Sequence, residues 1–272
     1  MDYADREDAI LGGKGGGKKK YGKQSNPKPS GSGGNKKGQG NPKLRGIPGE
    51  SEDKRMSKTL SWVLRHGSQS EKLFMRPDGF VRVQDILERP RFSDFNMAVI
   101  EQIVANDSKD RFKLVCETDS TSGEFVWWIR ANQGHSIKSV VDLEVTPISS
   151  ASDIPTGTAV HGTSLQAWES IKTQGLSKMK RNHIHLAQGT GVISGMRNAS
   201  QVFVYVNVNS AIASGVKFGL SSNGVVLSEG NDNGFIPPSF FEKVVTRQGA
   251  ILLDRSSTAV DELQSKTEAI AL

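Results

Sequence analysis

All five histidines of the 272-residue chain fall in four short stretches: LRHG at 64–67, IRANQGH at 129–135, VHGTS at 160–164 and RNHIHLA at 181–187. Three of these stretches also carry an arginine, Arg65, Arg130 and Arg181, and none contains Asp or Glu. Arginine stays charged in proteins, and its planar fork meets phosphate oxygens two at a time. Three such side chains gathered beside histidines make a site for a polyanion. A metal is the other chemistry to weigh, because His183 and His185 would share one face of a strand. Nothing in these stretches completes or orients a hydrolytic zinc site, so no metal is expected.

The bulk charge says where that anion site must lie. The chain carries a net +6, but up to Arg45 there are eleven Lys and Arg against four Asp and Glu, so the remainder is close to neutral at −1. The basic stretch, GGKGGGKKKYGKQSNPKPSGSGGNKKGQGNPK, has almost no apolar residues to bury and is expected to be disordered, as a solubilising leader, a non-specific RNA attractant or a nuclear-targeting tail. The high pI therefore belongs to the tail, and any anion site in the body must be local. Cys116 is the only cysteine, which rules out an intrachain disulfide and suits a reducing compartment; it is expected to be a small buried apolar residue. No apolar run is long enough to span a bilayer and no secretory leader is evident, so a cytoplasmic or nuclear protein is expected. Nothing suggests an obligate assembly, and a monomer is expected.

Three helices, a short strand and a hairpin are expected up to the second Arg/His stretch. Ordered sequence is expected from near Met56, where SKTLSWVLRHG spaces Leu60, Val63 and Leu64 for a helix that ends on a Gly67 C-cap. RPDGFVRVQDILE predicts a turn at Asp78–Gly79, a strand from Phe80 to Val83 and a helix opening at Gln84 or Asp85. FNMAVIEQIVAND predicts an amphipathic helix, and RFKLVCE with EFVWWIRA a hairpin. Helices followed by a hairpin suggest a small winged-helix-like module. Of Trp127 and Trp128, on opposite faces of the strand, one is expected in the core. The other could stack on an RNA base, although packing is the simpler reading.

A Ser/Pro/Thr-rich connector at VTPISSASDIPTG precedes the rest. Beyond it come a strand from Ala159, a helix at SLQAWESIKTQGL with Leu165, Trp168 and Ile171 on one face, and strand-like runs HIHLA, QVFVYVNVN, VKFGLSS and GVVLSEG. VFVYVNV is β-branched or aromatic at nearly every position, which predicts cover on both faces. The expected class is α+β. Its parts are a tail at 1–54, a winged-helix-like lobe at 55–150, a β-rich lobe at 151–253 and a C-terminal tail at 254–272.

The motifs SKTLSWVLRHG, DGFVRVQDIL, IRANQGHS, VHGTS, RNHIHLA, SNGVVLSEG and GFIPPSFF occur in an order and at spacings that resemble the RNA 2′-phosphotransferase family, the last enzymes of tRNA splicing. The likeness covers residues 56 to 245. It implies an N-terminal winged-helix RNA lobe and a C-terminal ADP-ribosyltransferase lobe that takes NAD as co-substrate, with no metal. It also implies a two-step reaction. The RNA 2′-phosphate attacks C1″ of the nicotinamide riboside and expels nicotinamide. The ADP-ribose 2″-hydroxyl then attacks that phosphate, leaving RNA with a free 2′-hydroxyl and ADP-ribose 1″,2″-cyclic phosphate.

Matched position by position, the likeness assigns the phosphate-handling role to Arg65, His66, Arg130 and Arg181, with Lys58, Gln133 and His135 as further substrate contacts. His161, Gly162 and Thr163 resemble the HGT motif that holds NAD. His185 stands where many relatives carry a Tyr against the nicotinamide, with His183 as the alternative in a shifted register. Arg197 is the rival to Arg181. An apolar residue near Val225 fills the place where protein-modifying relatives carry a catalytic Glu, and Glu229 is expected in a loop. A phosphate nucleophile is already anionic, so it needs positive charge to hold it rather than a carboxylate base. Two other readings stand beside this one: an ADP-ribosyltransferase that caps phosphorylated nucleic-acid ends, and a non-catalytic RNA-binding protein.

Overall fold

The computed structural model describes residues 44–47, 49–120, 122–191 and 194–255; the rest of the basic tail and of the C-terminal tail lies outside the described residues. The chain is a mixed α/β protein built on antiparallel sheets around two apolar cores.

The first core begins earlier than Met56. Leu44 is already buried in it, and helix α1 spans Glu52–Trp62. α1 then widens into a π-helical turn at Val63–Gly67 that carries Arg65 and His66. Such turns cost regular hydrogen bonding and recur at functional sites. Gly67 does not cap the helix, which runs on through Ser68 in right-handed geometry. It is glycine for another reason: a Cβ there would stand 2.5 Å from the Trp62 ring. That ring is further clamped by the guanidinium groups of Arg45 and Arg91, 4.6 and 5.0 Å from its centroid.

Strand β1 (Val81–Arg82) is shorter than the sequence predicts, because Val83 already starts helix α2 (Val83–Leu87). Helix α3 (Met97–Ala105) opens on Asn96, whose side chain accepts from the Val99 N–H and so satisfies one orphan donor of the first turn. Strands β2 (Phe112–Thr118) and β3 (Phe125–Ala131) form the expected hairpin, in a sheet of order β1-β3-β2. Leu60, Val63, Leu64, Ile86, Ile100 and Ile129 are fully buried between helices and sheet, and each contributes about 1.5–3 kcal/mol. The hairpin overhangs this core. Cys116, opposite Trp127, is therefore exposed rather than buried, and Trp127 is 39% exposed. Trp128 lies under Arg76, 5.0 Å from its guanidinium.

The stretch read as a connector contains strand β4 (Val145–Ile148), which pairs with a strand of the second core, and a 3-10 turn at Ala151–Asp153 closed by a Ser150 capping box. Then follow β5 (Val160–Thr163), α4 (Leu165–Gln174), β6 (Leu176–Ser177) and β7 (Ile184–Leu186). In α4 only Trp168 is buried, and Leu165 faces solvent. QVFVYVNVN divides into β8 (Val202–Val206), nearly all buried as predicted, and helix α5 (Val208–Ala213), which starts when the Asn207 side chain accepts from the Ser210 N–H. β9 (Lys217–Ser221), β10 (Val226–Gly230), β11 (Phe235–Ile236), β12 (Phe241–Thr246) and β13 (Ile251–Asp254) complete the fold. Two four-stranded sheets, β4-β9-β10-β7 and β13-β12-β8-β5, and the pair β11-β6 enclose the second core.

Two sets of hydrogen bonds tie the cores together. The Asn182 N–H donates to the His135 carbonyl at 2.8 Å, and its Nδ2 donates to the Ile137 and Val140 carbonyls at 3.0 and 3.2 Å. On another edge, the Lys109 carbonyl accepts from Ser194 Oγ and Asn223 Nδ2, each at 3.1 Å, while Lys109 Nζ reaches the Met196 carbonyl at 3.3 Å.

Candidate active site

The four Arg/His stretches come from the π-helical turn, the end of β3, strand β5 and the entry to β7, and the fold brings them to the junction of the two cores. Arg65 is the pivot. Its Nε and one terminal nitrogen are shut away from water without a hydrogen-bond partner. Burial, with the charges of Arg181 and Arg111 added, pushes its guanidinium down to about 9, against which Asp107 pulls the other way. It is still charged at pH 7. A buried, charged donor with unfilled positions is costly unless an anion fills them. Gly134, at φ 91°, lets the chain cross this side chain: a Cβ there would lie 3.2 Å from Arg65 Nε.

His66 is exposed, and its Nδ1 lies 2.9 Å from the Ser136 hydroxyl, while the Ser136 N–H donates to the Arg65 carbonyl at 3.0 Å. His135 is 1% exposed with neither ring nitrogen partnered. Burial first, then the charges of Arg65, His66, Arg130 and His183, push its pKa to about 3, so it is neutral at pH 7. His185 is driven the same way by burial and then by Arg181, Arg65, His183 and His161, and its Nε2 is buried without a partner. His161 is lowered by burial and by Arg197 and Arg181. Its Nδ1 is 3.0 Å from the His185 carbonyl, which fixes the proton on Nδ1 and leaves Nε2 an acceptor. The mutual influence of these groups marks one continuous cluster: Arg65, His66, His135, Arg181, His183, His185 and His161.

Arg130 sits at the margin of the cluster in a setting of its own. It is buried, donates to Glu144 Oε2 at 2.6 Å and to the Asp78 carbonyl at 3.2 Å, and stacks 4.8 Å from the Phe80 ring centroid; its Nε is without a partner. Lys58 is turned to Glu50, at 2.7 and 2.9 Å, and holds that carboxyl down at about 2. Gln133 is half-buried on the segment between Arg130 and His135. His183 precedes β7 rather than lying in it, so the two histidines of RNHIHLA are not a strand-face pair. Glu229, expected in a loop, is in β10 and exposed, and its charge raises the His183 pKa against the lowering by burial, Lys178 and Lys138. Val225 is fully buried.

Gly162 lies in β5 opposite Phe203, and a Cβ there would meet Ser200 Oγ at 2.5 Å and Met196 Cγ at 2.7 Å. Thr163 pairs with Val202, and its carbonyl accepts from the Gln201 N–H at 2.7 Å. Beside this strand end is a pocket of about 200 Å³ lined by Thr190, Met196, Arg197, Asn198, Phe203 and Arg247. Ser200 Oγ is buried and unpartnered. Sequence reasoning missed Ser136, Asn182, Ser200, Arg111 and Arg247. Only Ser136 had a local signal, as the last residue of QGHS; the others act through contacts distant in sequence.

The arrangement can hold an anion of high charge against two guanidinium groups and flank it with neutral histidines, with no carboxylate in the innermost group. Residues 51–230 match the model of the RNA 2′-phosphotransferase, Tpt1 / KptA family. The chain is 43% identical over 198 residues to tRNA 2′-phosphotransferase 1 of Danio rerio, covering 71% of this chain and 86% of that protein. It is 39% identical over 200 residues to tRNA 2′-phosphotransferase 1 of Homo sapiens, covering 72% and 77%. To the tRNA 2′-phosphotransferase of Saccharomyces cerevisiae it is 36% identical over 208 residues, covering 73% and 86%. A match over most of the described residues, with the Arg/His stretches inside it, shows that the chain belongs to the RNA 2′-phosphotransferase family.

Proposed function

We propose that this chain is an NAD-dependent tRNA 2′-phosphotransferase that removes the splice-junction 2′-phosphate. The observation that carries the reading is the Arg65 guanidinium, charged, shut from water at Nε and one terminal nitrogen, and unpartnered there beside Arg181. An RNA 2′-phosphate supplies the oxygens those donors lack. In the finer reading of the fold, the first core is a winged-helix-like RNA lobe and the second an ADP-ribosyltransferase-like lobe.

The residues around β5 fit NAD. His185 Nε2 and Ser200 Oγ are orphaned polar atoms, His161 offers an acceptor nitrogen, and the pocket beside Arg197 and Arg247 suits one end of a dinucleotide diphosphate. NAD as co-substrate supplies an electrophilic C1″ with nicotinamide as leaving group and a 2″-hydroxyl that then takes the phosphate as the cyclic ester. The protein's part is positional and electrostatic. Arg65 and Arg181 orient the phosphate and stabilise the charge that builds on it during transfer, which is worth about 3–4 kcal/mol per donor in comparable sites. His66, the one exposed histidine of the group, moves the proton that the RNA 2′-oxygen takes up as it leaves. His135 and His185, neutral at pH 7, exclude water without repelling the guanidinium groups.

The products test this. Wild-type protein given RNA with one 2′-phosphate and NAD should form ADP-ribose 1″,2″-cyclic phosphate, and Arg65→Ala or Arg181→Ala should slow this by about 10²–10³. Accumulated ADP-ribosylated RNA as the end product would instead establish the capping reading. RNA binding with no turnover would leave a binding protein.

A further inference from the structure

The two ends of the Arg/His cluster carry different surroundings. At one end, His161 lies under the influence of Arg197, beside the pocket lined by Arg197 and Arg247. At the other, His183 is influenced by Lys178, Lys138 and the opposing Glu229. At this second end His183 is half-buried, and each core contributes an exposed lysine. Lys138, exposed, extends from the first core and donates to Asn182 Oδ1 at 3.4 Å. From the second core comes the turn Lys178–Arg181, closed by the Arg181 N–H on the Lys178 carbonyl at 3.0 Å. Its lysines are placed by packing and by the turn: Lys178 runs along Gly234, where a Cβ would meet its Cε at 2.8 Å, and Lys180 is exposed next to Arg181. Between them Met179 is held at φ 53° and is 81% exposed, a strained and uncovered apolar side chain.

We propose that Lys138, Lys178 and Lys180 form a rim that binds the phosphodiester backbone of the RNA strand on either side of the reacting 2′-phosphate. The inference rests on the proposed reading of a 2′-phosphorylated RNA substrate. A 2′-phosphate inside a strand is flanked by two backbone phosphates, so any site that takes it must let the strand pass across its mouth. Outside the tail, the protein is close to neutral, yet Lys138 and Lys178 are held there by contacts in both cores, and the turn carries Lys180 beside Arg181. Ammonium groups neutralise a backbone without reading sequence, which is what a substrate defined by a 2′-phosphate requires. Met179 between them offers an apolar, polarisable contact to an adjoining base.

The test uses the full chain, with Lys138→Ala and Lys180→Ala combined; Lys178 is left because it packs on Gly234. A dinucleotide with the 2′-phosphate beside its single phosphodiester, and a longer single strand with one internal 2′-phosphate, are compared for KM and kcat. Binding of the same RNAs is followed by fluorescence anisotropy across a salt series. In the wild type, KM should fall about tenfold or more with length, as added phosphates release counterions. The variant should lose most of that gain while keeping kcat on the dinucleotide. Its slope of log affinity against log salt should shrink by about 0.7 per lysine removed. An unchanged length gain and salt slope would overturn the rim. If wild-type protein released no phosphate from either RNA, the function reading would fail, and the anisotropy slopes would still decide the rim.

Discussion

His66 and Ser136 meet across 70 residues of sequence, ring Nδ1 to hydroxyl at 2.9 Å, and the backbone N–H of the same serine holds the Arg65 carbonyl. One residue thus orients both members of the Arg–His pair on the π-helical turn. Loss of a neutral hydrogen bond of this kind costs about 1 kcal/mol, or about fivefold in rate. Ser136→Ala should therefore lower kcat by about that factor and shift the alkaline limb of the pH–rate profile, and Ser136→Thr should restore both. An alanine variant with unchanged kcat and profile would make the contact incidental.

Gly134 should be intolerant of a side chain for two separable reasons. Its φ of 91° strains any other residue by roughly 1–2 kcal/mol, and a Cβ would press on Arg65 Nε and Cδ at 3.2 and 3.3 Å. Gly157, at φ 67° with nothing within 4 Å, shares only the first. Both Gly→Ala variants should lose stability in thermal melts, and only Gly134→Ala should lose turnover, by about tenfold or more as Arg65 is displaced.

The buried histidines give stability a defined pH dependence. His135 is neutral in the fold with a pKa of about 3, against 6.5 when exposed, so the unfolded chain takes up the proton first as pH falls. Stability is fully present above pH 6.5 and is lost on acidification toward about 3, by up to roughly 1.4 kcal/mol per pH unit for each such group. His161 and His185 are shifted in the same direction and add to the slope. Denaturant midpoints should drop steadily from pH 7 to 5, and His135→Gln should flatten the trend. A flat wild-type curve would contradict the burial argument.

Arg130 separates structural from chemical roles. Its partner Glu144 is 59% exposed, so the pair is partly screened, and Glu144→Gln should cost about 1–2 kcal/mol in a melt while kcat persists. Arg130→Ala should lose both stability and turnover. If Glu144→Gln lost as much kcat as Arg130→Ala, Arg130 would act only by holding the structure.

What the sequence made legible was local. β8 is readable because its β-branched run needs cover on both faces, and α3 because Asn96 precedes an apolar period. The Arg/His stretches were readable because residue type alone implies an anion. Unreadable features depend on where distant segments meet: the Glu144 partner of Arg130, the Glu50 partner of Lys58, and the Asn182 bolt between the cores. Gly67 had the look of a cap because a glycine after a helix usually is one, and only the packed Trp62 ring explains it otherwise. Cys116 looked buried because strand periodicity cannot tell how far a hairpin overhangs its helices.

The central claim is that the Arg65 and Arg181 site holds a 2′-phosphate for transfer to an NAD-derived acceptor. The most direct measurement incubates the full chain with an RNA bearing one internal 2′-phosphate, with and without NAD, and follows the phosphate. The account predicts its loss only with NAD, with nicotinamide and ADP-ribose 1″,2″-cyclic phosphate released in equal amounts. A phosphate that stays on the RNA in the presence of NAD, or leaves without it, would contradict the account.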